Sequence, residues 1–120
     1  MKILCGVSLG EYLDKYSILS IKLKKIIDFQ KIKEVEKEIQ DYDKKIISEN
    51  LNFLNKLYDV NLQSWENNDL RKKKIENGDF DEDFIQMSIK ESKLNDQRYL
   101  IKREIDMASN SFYKEQKNYL

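Results

Sequence analysis

The sequence has no histidine and no proline, and its only cysteine is Cys5. Without histidine the chain lacks the commonest general base and the commonest metal ligand of proteins. One cysteine cannot form an internal disulfide, so we expect a reducing compartment, the cytoplasm. With one thiol and no imidazole, we expect neither a metal site nor a cofactor.

Glycine is rare, and no run of the sequence approaches the roughly 18 apolar residues of a membrane-spanning helix. Lysine plus arginine and aspartate plus glutamate each number 22, so the formal net charge is zero. A zero balance argues against electrostatic attraction to nucleic acid or anionic lipid. Glycine-rich phosphate loops, EF-hand loops and Cys/His metal spacings are absent as well. These absences exclude the common signatures of nucleotide, calcium and zinc binding.

Charged residues make up 37% of the chain, and lysine, glutamate, isoleucine and leucine are abundant. This composition favours long solvated helices. We predict a single all-α domain over residues 1–120, built from three or four long antiparallel helices. A short apolar segment over residues 2–7 is expected to form an extended N-terminal arm.

The first helix has the clearest start signal. Ser8 followed by Glu11 forms a capping-box pattern, in which each side chain reaches the other residue's backbone N–H. Apolar residues then cover one broad face and part of the opposite face, up to about Ile27. A helix of this kind is covered from two sides, so we predict that it is central.

The second helix should begin near residue 30, with Asp28 as its N-cap. Its apolar residues follow the 3-4 spacing of a coiled-coil seam. The seam consists of Ile32, Val35, Ile39, Tyr42 and Ile46. We predict an interface along it, either with another helix of the chain or with a second copy, and favour a homodimer.

A second apolar stripe starts at Ile47, rotated from the first. We favour a break or kink near residues 48–50 over a continuous helix with a second partner. The next helix should reach Asn77 and end at Gly78, a typical residue after a helix C-terminus. Asp81 then suits the N-cap of a last helix that runs to about Ala108.

Three further features have simple structural explanations. The basic run at residues 71–74 fits a solvated helix C-terminus better than a phosphate site. Cys5 is interpreted as a small buried residue rather than a reactive thiol. The tail should dock on the body through its apolar side chains, which are Phe112, Tyr113, Tyr119 and Leu120.

One polar set is not explained by helix termini. It joins the first and last helices and consists of Glu11, Asp14, Lys15, Asn95, Asp96 and Arg98. Arg98 lies beside an apolar stripe, and a half-buried guanidinium needs a carboxylate partner, for which Asp14 or Glu11 is placed. We favour an ion-pair network that fixes helix register. The alternative is a polar pocket for an anionic or sugar-like ligand.

The opening residues also carry a family resemblance. The pattern V-S-x-G-E-x-x-D-K-x-x-I-L-x-I-K is matched from Val7 to Lys22, and a later G-D-F, F-I, N-D-x-R pattern is matched between Gly78 and Arg98. In these patterns the sequence resembles a family of small bacterial and phage proteins without an established activity. Family members occur near, or fused to, glycosyltransferases and other surface-polysaccharide genes, which implies a role in glycan assembly.

The sequence therefore favours a non-catalytic helical accessory protein that acts in the cytoplasm as a homo-oligomer, with a glycosyltransferase-type partner implied by the resemblance. The alternative is a ligand-binding or enzymatic all-α protein whose polar pocket lies between the first and last helices. We predict no nucleic-acid partner.

Overall fold

A computed structural model describes residues 1–111 and 113–118 of the chain. This part is all-helical, which confirms the predicted fold class, and residues 1–7 form an extended, exposed arm. The helices are α1 (Leu9–Lys25), α2 (Phe29–Ile39), α3 (Lys44–Glu49), α4 (Leu51–Asn77) and α5 (Glu82–Ala108). None of the helices in the described ranges combines the length and apolarity needed to cross a membrane.

Helix α1 is central, as predicted. It packs against α2, α4 and α5, and it buries Leu13 and Ile21 completely or almost completely. Ser8 caps it, because the Ser8 hydroxyl accepts a hydrogen bond from the Glu11 backbone N–H at 3.1 Å. The Glu11 carboxylate does not complete the capping box; it forms an ion pair with Lys102 of α5. The second half of the capping-box prediction was therefore wrong.

Helices α4 and α5 form a long antiparallel hairpin. Gly78 adopts a left-handed conformation, with φ of 70°, and the backbone N–H groups of Gly78 and Asp79 close the end of α4. Asp81 caps α5 through the Phe84 backbone N–H at 3.0 Å. The predicted start and stop signals of this hairpin are confirmed.

The hairpin is longer than the helix packed on it. Each of its helices has 27 residues, or about 40 Å, whereas α1 has 17 residues, or about 25 Å. The end of α1 lies level with Glu66, since the Lys25 ammonium is 3.4 Å from the Glu66 carboxylate. Residues 70–89, which we call the tip, therefore project beyond α1.

The predicted continuous seam helix was wrong. Helix α2 ends at Ile39, and Asp43 starts α3 by accepting hydrogen bonds from the backbone N–H groups of Lys45 and Ile46. An aspartate side chain that bonds nearby backbone in this way competes with helix continuation. The Tyr12 hydroxyl also accepts from the Asp43 N–H at 2.7 Å, so α1 holds this turn in place.

The seam residues face the chain's own α1. Val35 is buried and Tyr42 packs its ring on Tyr12, with 4.6 Å between the ring centroids, and on Tyr16. Ile32 and Ile39 are half-buried and Ile46 is at the edge, 36% exposed. The interface predicted along the seam is thus filled largely within the chain, and pairing with a second copy there stays a prediction.

The predicted break near residues 48–50 is confirmed, because α3 ends at Glu49 and α4 begins at Leu51. The small α3 contributes Ile47 to the core. That core also contains Leu13, Leu54, Leu57 and Ile105. In the tail, Tyr113 is 55% exposed and its ring lies beside Gly6 of the arm, and the docking predicted for Phe112, Tyr119 and Leu120 lies outside the described residues. Cys5, predicted to be buried, is exposed in the arm.

Candidate functional site

The polar set centres on Asp14 and Arg98. The Asp14 side chain is completely buried between α1, α4 and α5. Its carboxylate receives the Arg98 guanidinium in a two-pronged arrangement, with Nε 2.9 Å from Oδ1 and a terminal nitrogen on Oδ2. Fork-to-fork pairing is the strongest geometry available to arginine and carboxylate. The hydrogen bond with Asp14 raises the pKa of Arg98 against the opposing effect of burial.

Asn61 of α4 completes the partners of Asp14. Its amide nitrogen lies 2.9 Å from Asp14 Oδ1 and 2.8 Å from the Ser17 hydroxyl oxygen. The Ser17 hydroxyl in turn donates to the Asp14 backbone carbonyl at 2.7 Å. Sequence reasoning missed Asn61, although it follows Leu57 by one turn and so lies on the buried face of α4.

Lys102 lies on α5, one turn after Arg98. Its side chain is 7% exposed, and its ammonium is 2.8 Å from a Glu11 oxygen and 3.2 Å from a Glu115 oxygen. Burial opposes the charged form of Lys102. The hydrogen bond with Glu11 and the nearby negative charges outweigh burial and raise the pKa of Lys102. Lysine therefore stays charged inside the bundle because it has carboxylates on two sides.

Gly10 allows α1 to approach α5 at this point. Its backbone N–H donates to the buried Asp106 carboxylate at 2.7 Å. A Cβ at Gly10 would stand 2.7 Å from that Asp106 oxygen and 2.7 Å from the Lys102 carbonyl oxygen. Only glycine fits this contact. A carboxylate at the first turn of α1 also complements the helix dipole.

A cavity of ≈ 260 Å³ lies between α1, α5 and the tail. Its lining residues are Glu11, Asn95, Arg98, Tyr99, Lys102, Glu115 and Lys117. The structure thus brings Glu11, Asn95 and Arg98 to one cavity, with Asp14 bound to Arg98. It leaves two predicted members outside: Lys15 is exposed and 4.0 Å from Glu11, and Asp96 does not line the cavity.

A second polar layer follows along the α4–α5 interface. Glu91 accepts hydrogen bonds from Ser64, Asn67 and Asn68, and Asn67 also donates to the Met87 carbonyl at 2.8 Å. In the sequence, Glu91 lies at helical spacing from Asn95 and Arg98, but no pattern points to its three neutral donors on α4. The two helices therefore meet through hydrogen bonds where apolar residues are usual.

The chemistry of the cavity is ionic. Each contact given above for the ammonium of Lys102 and the guanidinium of Arg98 is to a carboxylate of another segment, an arrangement that fixes the register of the helices. Within the described ranges no cluster of three or more cysteine, aspartate or glutamate side chains is placed to hold a metal ion. No protein-family model, curated protein or solved structure matches the chain. The family resemblance of the opening residues stays a prediction.

Proposed function

We propose that the chain is a non-catalytic helical interaction protein that pairs with a second copy of itself through the tip of the α4–α5 hairpin. The observation that carries this proposal is the exposure of large apolar side chains at the tip, each between 44% and 64% exposed. These side chains are Leu70, Ile75, Phe80, Ile85 and Ile89.

Apolar residues in such number at one end of a small molecule favour an interface. Single exposed apolar side chains are normal on protein surfaces, whereas a group of them marks a binding surface. Ile85 and Ile89 lie one turn apart on one face of α5, and α1 ends before it reaches them. The body of the molecule leaves the tip uncovered.

The charges of the tip favour a second copy as the occupant. The α4 side carries a basic run, Arg71 to Lys74, and the α5 side carries an acidic group, Asp79 to Asp83. Lys74 and Asp81 already pair with each other within the chain, at 2.7 Å, whereas Lys72, Lys73 and Glu82 are exposed and can meet a partner. If the basic run of one copy contacts the acidic group of the other in a twofold-symmetric interface, symmetry repeats the same contact with the two copies exchanged. The attraction between the basic run and the acidic group therefore occurs twice in such a dimer.

The biological setting of the proposal rests on the sequence. The single cysteine favours the cytoplasm, and the resemblance to glycosyltransferase-associated proteins suggests an accessory role in surface-polysaccharide assembly. In this proposal the dimer presents its remaining surface to a glycosyltransferase-type protein. The chain itself performs no chemical step.

Analytical ultracentrifugation tests the dimer. We expect the wild-type mass to double with rising concentration. Replacing Ile85 and Ile89 by serine should leave a monomer, because the apolar contact is lost. Leu100→Ser is the matched control, since Leu100 is 55% exposed on the same helix outside the tip, and it should still dimerise. A wild-type chain that stays monomeric at all concentrations contradicts the proposal.

A charge-swap experiment tests the pairing itself. Lys72→Glu with Lys73→Glu puts two acidic side chains into the basic run, and Glu82→Lys with Asp83→Lys puts two basic side chains into the acidic group, so that in each variant the changed residues face like charges across the dimer. Each variant alone should fail to dimerise through like-charge repulsion. A mixture of the two variants should recover a heterodimer, because acidic then meets basic at both contacts. A mixture that stays monomeric argues against the second copy as occupant.

The glycan setting has its own test. Affinity capture of the wild-type chain from its native host, followed by mass spectrometry, should recover a glycosyltransferase or another glycan enzyme. Recovery of neither counts against the accessory role and leaves the dimer proposal standing on its own measurements.

A further inference from the structure

We infer that the cavity between α1 and α5 binds a small molecule carrying a carboxylate group, and that Glu115 of the tail occupies the carboxylate position in this structure. The site differs from the tip, and the inference does not depend on the dimer.

Glu115 contacts the cavity as an exchangeable group. Its carboxylate oxygen is 3.2 Å from the Lys102 ammonium, and its side chain is 43% exposed. Its backbone carbonyl accepts from the Tyr99 hydroxyl at 3.4 Å, a long hydrogen bond. It comes from the segment that follows α5 rather than from a helix. A carboxylate held in this way can be displaced by a free one.

The other two ion pairs of the cavity are formed between helices, and their carboxylates are less exposed than that of Glu115. Arg98 is held by the completely buried Asp14, and Lys102 is held by Glu11 at the first turn of α1. Both cations therefore keep their positions when Glu115 leaves. A preorganised pair of cations costs a ligand little ordering free energy.

The contacts of Lys102 favour a carboxylate at this position. Its ammonium holds two carboxylates, that of Glu11 at 2.8 Å and that of Glu115 at 3.2 Å. Withdrawal of Glu115 leaves Lys102 with one of these two contacts. One incoming carboxylate restores the second contact, because it takes the place of the group that left.

Size and neutral groups narrow the ligand further. The cavity of ≈ 260 Å³ is smaller than the roughly 300–1,000 Å³ of drug-sized sites, so the ligand is smaller than that class. Tyr99 and Asn95 line the same cavity, and the Tyr99 hydroxyl loses its bond to the Glu115 carbonyl when the tail withdraws. They suit hydroxyl or amide groups beside the carboxylate.

Acetate titration followed by NMR on isotope-labelled protein tests the inference, with chloride keeping the ionic strength constant. The tethered Glu115 carboxylate competes with acetate for Lys102, and its effective concentration is in the millimolar range. We therefore expect Glu115→Gln to bind acetate about tenfold more tightly than wild type, a difference of one decade in Kd. The shifts should fall on the backbone signals of Asn95, Arg98 and Lys102. Glu104→Gln is the control: Glu104 lies on α5 with Arg98 and Lys102 but pairs with Lys56 outside the cavity, so this variant should bind acetate as the wild type does.

Two variants in the Glu115→Gln background locate the site. Lys102→Met should abolish acetate binding. Asn95→Asp adds a negative charge on an exposed part of the wall, so it should weaken binding several-fold without unfolding the protein. The inference is overturned by equal acetate affinity in wild type and Glu115→Gln, by the absence of shifts in both, or by phosphate or chloride binding as well as acetate does.

Discussion

Asp14 and Arg98 are paired across a separation of 84 residues, and this pair joins the central helix to the last one. The two partners differ in burial: the Asp14 side chain is completely buried, whereas 34% of the Arg98 side chain is exposed. Asn61 ties the same carboxylate to α4. One acidic side chain thus sets the relative register of α1, α4 and α5.

The asymmetry of this pair gives a first prediction. Arg98→Leu leaves the Asp14 charge buried with only neutral donors, so it should lower the free energy of unfolding by about 3 kcal/mol. Replacing both residues by leucine removes the uncompensated charge and should recover a large part of that loss. Urea unfolding of Arg98→Leu, Asp14→Leu and the double variant measures the coupling free energy between the two residues, which should exceed about 1 kcal/mol. A rise in stability on Arg98→Leu alone contradicts this account.

Gly10 gives the second prediction. Alanine has the higher helix propensity, by about 1 kcal/mol, so Gly10→Ala would stabilise an isolated α1. In the bundle the added Cβ meets the Lys102 backbone carbonyl and the Asp106 carboxylate, and backbone cannot move aside cheaply. Gly10→Ala should therefore lower stability, by about 1–3 kcal/mol for an overpacked contact.

Gly6 is the matched control for that substitution. The three atoms nearest a Cβ at Gly6 all belong to the Tyr113 side chain, the first at 3.2 Å, and that side chain is itself more than half exposed. Gly6→Ala should change the free energy of unfolding by less than about 0.5 kcal/mol. Thermal unfolding of the two variants in parallel compares them, and equal midpoints would argue against a close contact between α1 and α5.

The helices could be predicted because their boundary signals are local. Ser8, Asp28, Gly78 and Asp81 act within one turn of their own positions, and each does in the structure what its residue type favours. The break at residues 40–43 could not be predicted from the 3-4 spacing. Asp43 caps α3 through its side chain, and its backbone N–H also meets the Tyr12 hydroxyl, which comes from another helix and is not part of the local sequence.

The candidate site shows the same division. A half-buried Arg98 needs a carboxylate, so its pairing with α1 followed from burial alone. Which groups surround that pair depends on how α4 and the tail pack, and Asn61 and Glu115 come from those segments. Lys15 follows Asp14 and Asp96 follows Asn95 in the sequence, but a step of one residue turns a helical side chain by about 100°. That rotation places them outside the cavity.

Tyr42 gives a prediction about pH. Burial, and next the charge of Glu38, raise its pKa above the ordinary value of 10.0. The folded state therefore holds the phenol proton more tightly than the unfolded state does. This contribution to stability is fully present below pH 10.0 and is lost as the pH rises through the folded pKa.

Tyr42→Phe isolates that contribution. Phenylalanine keeps the ring that packs on Tyr12 and Tyr16, so stability at neutral pH should change by less than about 1 kcal/mol. Above pH 10.0 the wild type should lose stability more steeply than the variant. Urea unfolding at neutral and alkaline pH measures both slopes, and parallel slopes would show that Tyr42 does not titrate differently on folding.

Glu91 gives the last prediction, because its carboxylate has three neutral donors from α4. Hydrogen bonds to a charged acceptor contribute about 1.5–3 kcal/mol, roughly twice those between neutral groups. Glu91→Gln keeps the shape but removes the charge and turns one acceptor into a donor, which faces the donors of Ser64, Asn67 and Asn68. It should lower the free energy of unfolding by about 1–2 kcal/mol. Glu104→Gln on the same helix breaks only an exposed ion pair and should cost less than about 0.5 kcal/mol in the same urea titration. Equal losses in the two variants would mean that Glu91 contributes no more to the hairpin than a surface charge does.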